Sequence, residues 1–237
     1  MSLGTISAEV LASLEVASEE GGEQERSSPK SLQPISVWNS EKFAQEQLRG
    51  LVRRVFLSSA LIPVRQVVFS ATEPETDVRS ICRSVGEILA AEVAGTVAVA
   101  WRLTEDPSQQ FRAEGTEIRT RYLPRIATQL RTNLWLLPRR TTNAESVTAA
   151  SVHQYLGNLR REFEYSVVAA RSAGESGEAM EMADFADGIV LVLSAQRTRR
   201  ATALKIKEAL EGTRARLIGT ILSDRIFPIP NAIYRRL

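Results

Sequence analysis

Between residues 66 and 91 the apolar positions change period. QVVFSA (66–71) is a short run of β-branched and aromatic residues, the composition of a strand in a sheet interior. From Val78 the apolar residues fall at Val78, Ile81, Cys82, Val85, Ile88 and Leu89, which is one face of a helix. The same two periods recur along the chain. Helical spacing marks 40–58, where Ser40 is the expected N-cap, Glu41 follows it, and Leu48, Leu51, Val52, Val55 and Phe56 share a face. It returns at 145–163, with Val152, Tyr155, Leu156, Leu159 and Phe163 inward, and at 198–211, where Gly212 is the expected stop. A Gly-rich loop at 172–182 enters a short helix. Apolar runs predict further strands at 95–101, 133–138, 164–171, 187–195 and 215–222, the second of them ended by Pro138. Residues 105–122 are polar and without a period, which predicts a loop with a helical piece. Strands alternating with helices predict an α/β fold, a mostly parallel sheet with helices on both faces.

Strand, tight turn and amphipathic helix is the layout of a phosphate-binding loop. In such loops glycines let backbone N–H groups close on phosphates, a Lys reaches the outer phosphates, and a Ser or Thr hydroxyl holds Mg²⁺. Here the junction reads Thr72-Glu73-Pro74-Glu75-Thr76-Asp77-Val78-Arg79-Ser80, with no glycine and no lysine. Glu73, Glu75 and Asp77 would face a triphosphate of their own sign, and two like charges about 4 Å apart repel by roughly 4 kcal/mol at an effective dielectric near 20. Pro74 removes a backbone donor. Arg79 and Ser80 at the helix start still offer an anion the N-terminal dipole. Gly174 and Gly177 match no phosphate motif in their spacing, and Glu175 and Glu178 oppose one, so that stretch reads as a plain loop.

Composition narrows the picture. A chain of 237 residues with 43% hydrophobic and 24% charged content holds one α/β core, residues 40–237, plus an extension. That extension is 1–39, acidic and rich in Ser, Glu and Gly, which predicts disorder with at most a short helix at 6–16. A net charge of +2 does not call for nucleic acid or a membrane surface as partner. The single Cys82 excludes a disulfide framework and, on an apolar helix face, reads as core. His153 has no His, Cys or acidic neighbour at ligand spacing, so no metal is expected there. No apolar run approaches the ~20 residues of a membrane span, so direct insertion is not expected and the chain reads as cytoplasmic. Glu46, Arg49 and Arg53 share a helix face, either as intrahelical pairs or as a self-association surface.

Several strings in order resemble the bacterial P-loop tyrosine kinases of capsule and exopolysaccharide synthesis, relatives of the partition and cell-division-site ATPases. Leu159-Arg-Arg-Glu-Phe-Glu-Tyr-Ser-Val-Val looks like the approach to that family's Walker B strand. Ala186-Asp-Gly-Ile-Val-Leu-Val-Leu followed by Thr198-Arg-Arg looks like its "ADGVLLVV…TRR" segment, and NLWLLP its "NLWVLPAG" strand. Phe227-Pro-Ile-Pro-Asn-Ala-Ile-Tyr-Arg-Arg-Leu resembles endings of exopolysaccharide-locus members. The resemblance, from about residue 46 to 237, implies a P-loop NTPase-like fold.

The departures from the family pattern fall on its chemistry. Its glycines, Lys and Ser/Thr of Walker A meet Glu73, Glu75, Asp77, Arg79 and Ser80; its second acidic strand end meets Trp101-Arg102; its Walker B aspartate meets Ala169; its adenine-side asparagine meets Ser223. Of its tyrosine-rich tail Tyr234 is left, and of its ring-forming Glu-x-x-Arg-x-x-Arg helix Glu46 and Arg49 fit while Val52 and Arg53 share the third place. Positioned metal and cations carry phosphoryl transfer. The resemblance therefore implies a catalytically inactive member with no cofactor. It would be an interaction or regulatory subunit that binds a membrane polysaccharide chain-length regulator or a kinase paralogue, peripheral at the inner membrane through that partner. Two other readings stay open: a divergent kinase or ATPase that holds ATP and magnesium through Arg79, Arg102 or Arg171, and a partition-type protein binding DNA.

Overall fold

All six residues of strand β1 (Gln66–Ala71) are buried, because helices cover both faces of the sheet that contains it. The computed structural model describes residues 40–58, 63–103, 116–119, 126–140 and 149–224. The sequence-based expectations for 1–39, for Phe227 and for Tyr234 lie outside those residues. The remaining elements are α1 (Ser40–Phe56), α2 (Val78–Glu92), β2 (Val97–Leu103), β3 (Thr116–Arg119), β4 (Ile126–Arg131), β5 (Leu134–Arg140), α3 (Ala149–Glu162), β6 (Tyr165–Ala169), α4 (Glu178–Phe185), β7 (Gly188–Ser194), α5 (Arg200–Glu211) and β8 (Leu217–Ser223).

The strands form one eight-stranded sheet in the order β3-β4-β5-β2-β6-β1-β7-β8. Six strands, β5 to β8 in that order, are parallel, as the alternation of strands and helices predicts. Two findings differ from the sequence-based expectation. Part of 105–122, read as a loop, is strand β3, and with β4 it adds an antiparallel edge to β5. Pro138 does not end its strand. It lies opposite Trp101 in the β2 ladder, beyond the last β4 pairing at Leu136, so its missing N–H falls where β5 has no described second neighbour.

Each face of the sheet has its own apolar layer. On one side α2 buries Val78, Cys82, Val85, Leu89 and Ala90, and α1 adds Val52, Val55 and Phe56, with the Phe56 ring edge-on to Tyr165 at 6.3 Å. On the other, α3, α4 and α5 bring Leu156, Leu159, Met182, Ile206 and Leu210 against Val68, Val168, Ile189 and Leu191. Full burial of such side chains contributes about 1.5–3 kcal/mol each. Cys82 is among them, and burial, aided by the charge of Asp77, raises its thiol pKa well above 9.0. Asn133 closes α2: its amide donates to the carbonyls of Ala90 at 2.8 Å and Val93 at 3.0 Å.

A polar staple holds the opposite end of β1. Buried Gln66 donates to Leu156 O and Ser166 Oγ and accepts from Arg160 Nε at 3.0 Å. Arg160 also reaches Asp187 Oδ1 at 2.7 Å, while Asp187 Oδ2 accepts the backbone N–H groups of Arg65 and Gln66, each at 2.8 Å. A charge accepting two backbone donors and a guanidinium is satisfied, so this network fixes the register of β1 rather than straining it.

Candidate functional site

Strand β1 leads into α2 on one face of the sheet, whereas its neighbours β6 and β7 lead into α4 and α5 on the other. Helices that leave adjacent parallel strands on opposite faces open a crevice beyond the carboxyl ends of those strands, the usual ligand position in open α/β sheets. The loops 72–77, 170–177 and 195–199 meet there.

In this protein side-chain and backbone bonds sew the three loops together. Thr72 is buried; its N–H donates to Val192 O at 3.1 Å, and its hydroxyl lies 2.7 Å from that of Thr198. Thr198 Oγ1 in turn accepts from Ser194 N at 3.0 Å. From the β6 side Ser172 Oγ donates to Thr72 O at 3.0 Å, Ala173 N donates to Ala71 O at 2.8 Å, and Ser70 Oγ donates to Arg171 O at 2.7 Å. Gly174 lies so close to this seam that a Cβ there would sit 2.5 Å from Thr72 O, which gives that glycine a packing role. Gly177 has no such neighbour and precedes α4 as its N-cap.

Two backbone donors of the β1–α2 loop are satisfied within it, while the buried Thr76 hydroxyl has no partner among the described residues. Thr76 N donates to Glu73 O at 3.3 Å and Val78 N to Thr76 O at 2.9 Å. Asp77 caps α2: its Oδ1 accepts from Ser80 N at 3.1 Å and its Oδ2 from Ser80 Oγ at 2.5 Å. Glu75 and Asp77 are exposed, Glu73 and Arg79 half-buried, and Arg197 of the β7 loop approaches Glu75 to 3.6 Å. The junction residues singled out from the sequence thus stand together.

Ala169 ends β6 opposite Phe69 and Trp101, buried in an apolar cluster that also contains Ala71, Val78 and Val192. Arg171 is exposed just beyond it. Arg102 is placed by its backbone, opposite Arg139, and its side chain lies outside the described atoms. Ser223 closes β8 with its hydroxyl on Leu193 O at 3.2 Å. His153 stacks against Phe185, ring centroids 4.8 Å apart, which is a packing contact. No group of three His, Cys, Asp or Glu side chains converges among the described residues.

The charged face of α1 is elsewhere. Glu46 pairs with Arg49 at 2.6 Å, as expected within a helix, but Arg49 and Arg53 also reach Glu92 of α2 at 3.5 and 3.2 Å. The intrahelical expectation is therefore corrected for Arg53, whose partner lies across the helix pair. The hydroxyl seam was the feature missed from the sequence. The hydroxyls of Ser70, Thr72, Ser172 and Thr198 are unremarkable one by one, and their sole signal is that each stands within a few residues of the end of a predicted strand.

No protein-family model matches this sequence, and no curated protein matches it. Solved structures do. The kinase domain of the Escherichia coli tyrosine kinase ETK superposes with a TM-score of 0.66 at 13% identity, over 85% of this chain and 84% of that one. The fold is that of bacterial tyrosine-kinase domains. The VpsO kinase domain gives a TM-score of 0.56 at 15% identity over 79% of this chain and 98% of its own. A ParA family ATPase from Chlorobium tepidum TLS gives 0.53 at 11% identity over 73% and 79%. The P-loop architecture expected from the sequence is thereby shown, and no described helix is long and apolar enough to cross a membrane.

Proposed function

We propose that this chain is a non-catalytic relative of bacterial tyrosine-kinase domains, an interaction or regulatory subunit of capsular or exopolysaccharide synthesis or export. The observation that carries this reading is the Asp77 carboxylate seated on the N–H and hydroxyl of Ser80. A phosphate at the start of α2 would need those donors and would meet the carboxylate at like charge. Glu73 and Glu75 add to the repulsion, and the seam through Thr72 ties the loops that a nucleotide would have to part. The residues do not fit a magnesium-bound triphosphate held in the manner of a phosphate loop. The position aligned with the metal-binding acid is Ala169, in an apolar cluster.

What remains in this reading is a scaffold whose strand-end loops are bonded to one another. Its partners in this reading are a membrane polysaccharide chain-length regulator or an active kinase of the same fold, which would hold it at the cytoplasmic face of the inner membrane. Self-association through Glu46, Arg49 and Arg53 would exchange the bonds of Arg49 and Arg53 to Glu92, and that of Glu46 to Arg49, for bonds to a second copy. Incubation of the purified chain with labelled ATP and Mg²⁺ tests the reading. We expect neither autophosphorylation nor phosphate release. Turnover that disappears in Arg79→Ala or Arg171→Ala would establish an enzyme instead.

A further inference from the structure

Charge is unevenly distributed along the chain. Residues 197–216 contain seven cations and two acids, a net +5, whereas the whole chain carries +2, which leaves −3 for the rest. All seven cations are exposed. Two have acidic partners, Arg197 with Glu75 and Lys207 with Glu211. The side chains of Arg199, Arg200, Lys205, Arg214 and Arg216 form no ion pair among the described residues, although Arg214 N donates to Asp184 Oδ1 at 3.0 Å. They are spread over a strip of sequence from the loop before α5 to the loop after it, which also holds exposed Glu208, four residues on from Leu204 and three from Lys205.

The strip is costly to the fold. Arg199 and Arg200 stand at the positive pole of α5, which has no acid in its first turn and no side-chain cap. Along the same strip Leu204 is 44% exposed, two residues before buried Ile206 and on the opposite side of the helix. Leu222 of β8, 51% exposed, pairs with Leu193 on the sheet face that α5 covers, at the end where α5 begins. Cations without ion pairs around protruding leucines, on a helix that buries only Ile206 and Leu210, complement a surface that is anionic and has an apolar layer beneath.

We propose that the outer face of α5 docks on anionic phospholipid headgroups, with Arg199, Arg200 and Lys205 against the phosphates and Leu204 at the headgroup boundary. Each cation at such a surface adds attraction that salt screens, and a single leucine adds a shallow apolar contact without insertion. A phosphodiester backbone would meet the cations equally well but gives Leu204 nothing to contact, so lipid is the favoured partner. The contact is independent of whether the crevice at the strand ends binds nucleotide.

Co-sedimentation of the full chain with vesicles tests this. Phosphatidylcholine vesicles containing phosphatidylglycerol should retain the protein at low salt and release it at high salt; pure phosphatidylcholine should not retain it. Replacing Arg199, Arg200 and Lys205 together by Gln should lower partition roughly tenfold or more, with circular dichroism unchanged because these side chains are exposed. Leu204→Ser should lower it less. Retention independent of lipid charge, no retention, or full retention by the triple variant would overturn the proposal. So would tighter binding to a DNA duplex than to the anionic vesicles.

Discussion

Ala169 and Asp77 are the two residues on which the proposed loss of nucleotide binding rests. Ala169 is 7% exposed and shares its cluster with Trp101 and Val78, so the place where a metal-binding acid would stand is apolar and filled. Ala169→Asp places a carboxylate among apolar side chains, and an uncompensated buried charge costs several kcal/mol. We expect Ala169→Asp to lose at least about 3 kcal/mol of stability in urea unfolding, with no gain in Mg²⁺ affinity. A stable variant that binds Mg²⁺ would show an acid-ready site. The sequence made the identity of both residues plain, because each is read by aligning one strand end. It could not show that the exposed Asp77 carboxylate turns onto Ser80, since a free acid and a helix cap share one letter and differ only in the angle of a turn.

At the scale of elements, α2 and β2 approach closely at one point. A Cβ on Gly86 would lie 2.2 Å from Val99 Cγ2, and Val99 is fully buried and β-branched, so it has no room to turn away. Gly86→Ala gains about 1 kcal/mol of helix propensity in principle, yet overpacking costs typically 1–3 kcal/mol. The net expectation is a lower melting temperature, and an unchanged or higher one would mean that α2 is free to shift on the sheet. Most helices and parallel strands were legible because their apolar periods are long and both faces are buried. β3 and β4 were not. Ile126–Arg131 reads IATQLR, in which polar side chains interrupt the alternation; Ala127 is buried and Leu130 packs on the core, and pairing with β3 and β5 completes the strand. The Pro138 boundary failed for a related reason: a proline ends a strand only where its N–H is needed, and need depends on neighbours that the sequence does not name.

For the whole molecule, the order of strands places β1 centrally and gathers three loops at its carboxyl end, and the hydroxyl seam then holds those loops together. The fold could be anticipated from string order and periodicity, and the kinase-domain neighbours agree with it. The seam depends on residues 100 and 126 positions apart, Thr72 with Ser172 and with Thr198, and no local pattern announces it. The central claim is that this crevice is closed by the chain itself and holds no triphosphate. Thermal unfolding with and without Mg-ATP tests it most directly. A ligand at 100 times its Kd adds about 2.7 kcal/mol, which for a domain of this size raises the melting temperature by roughly 5–10 °C. We predict no shift with millimolar Mg-ATP or Mg-ADP; a saturable rise of that size would contradict the account.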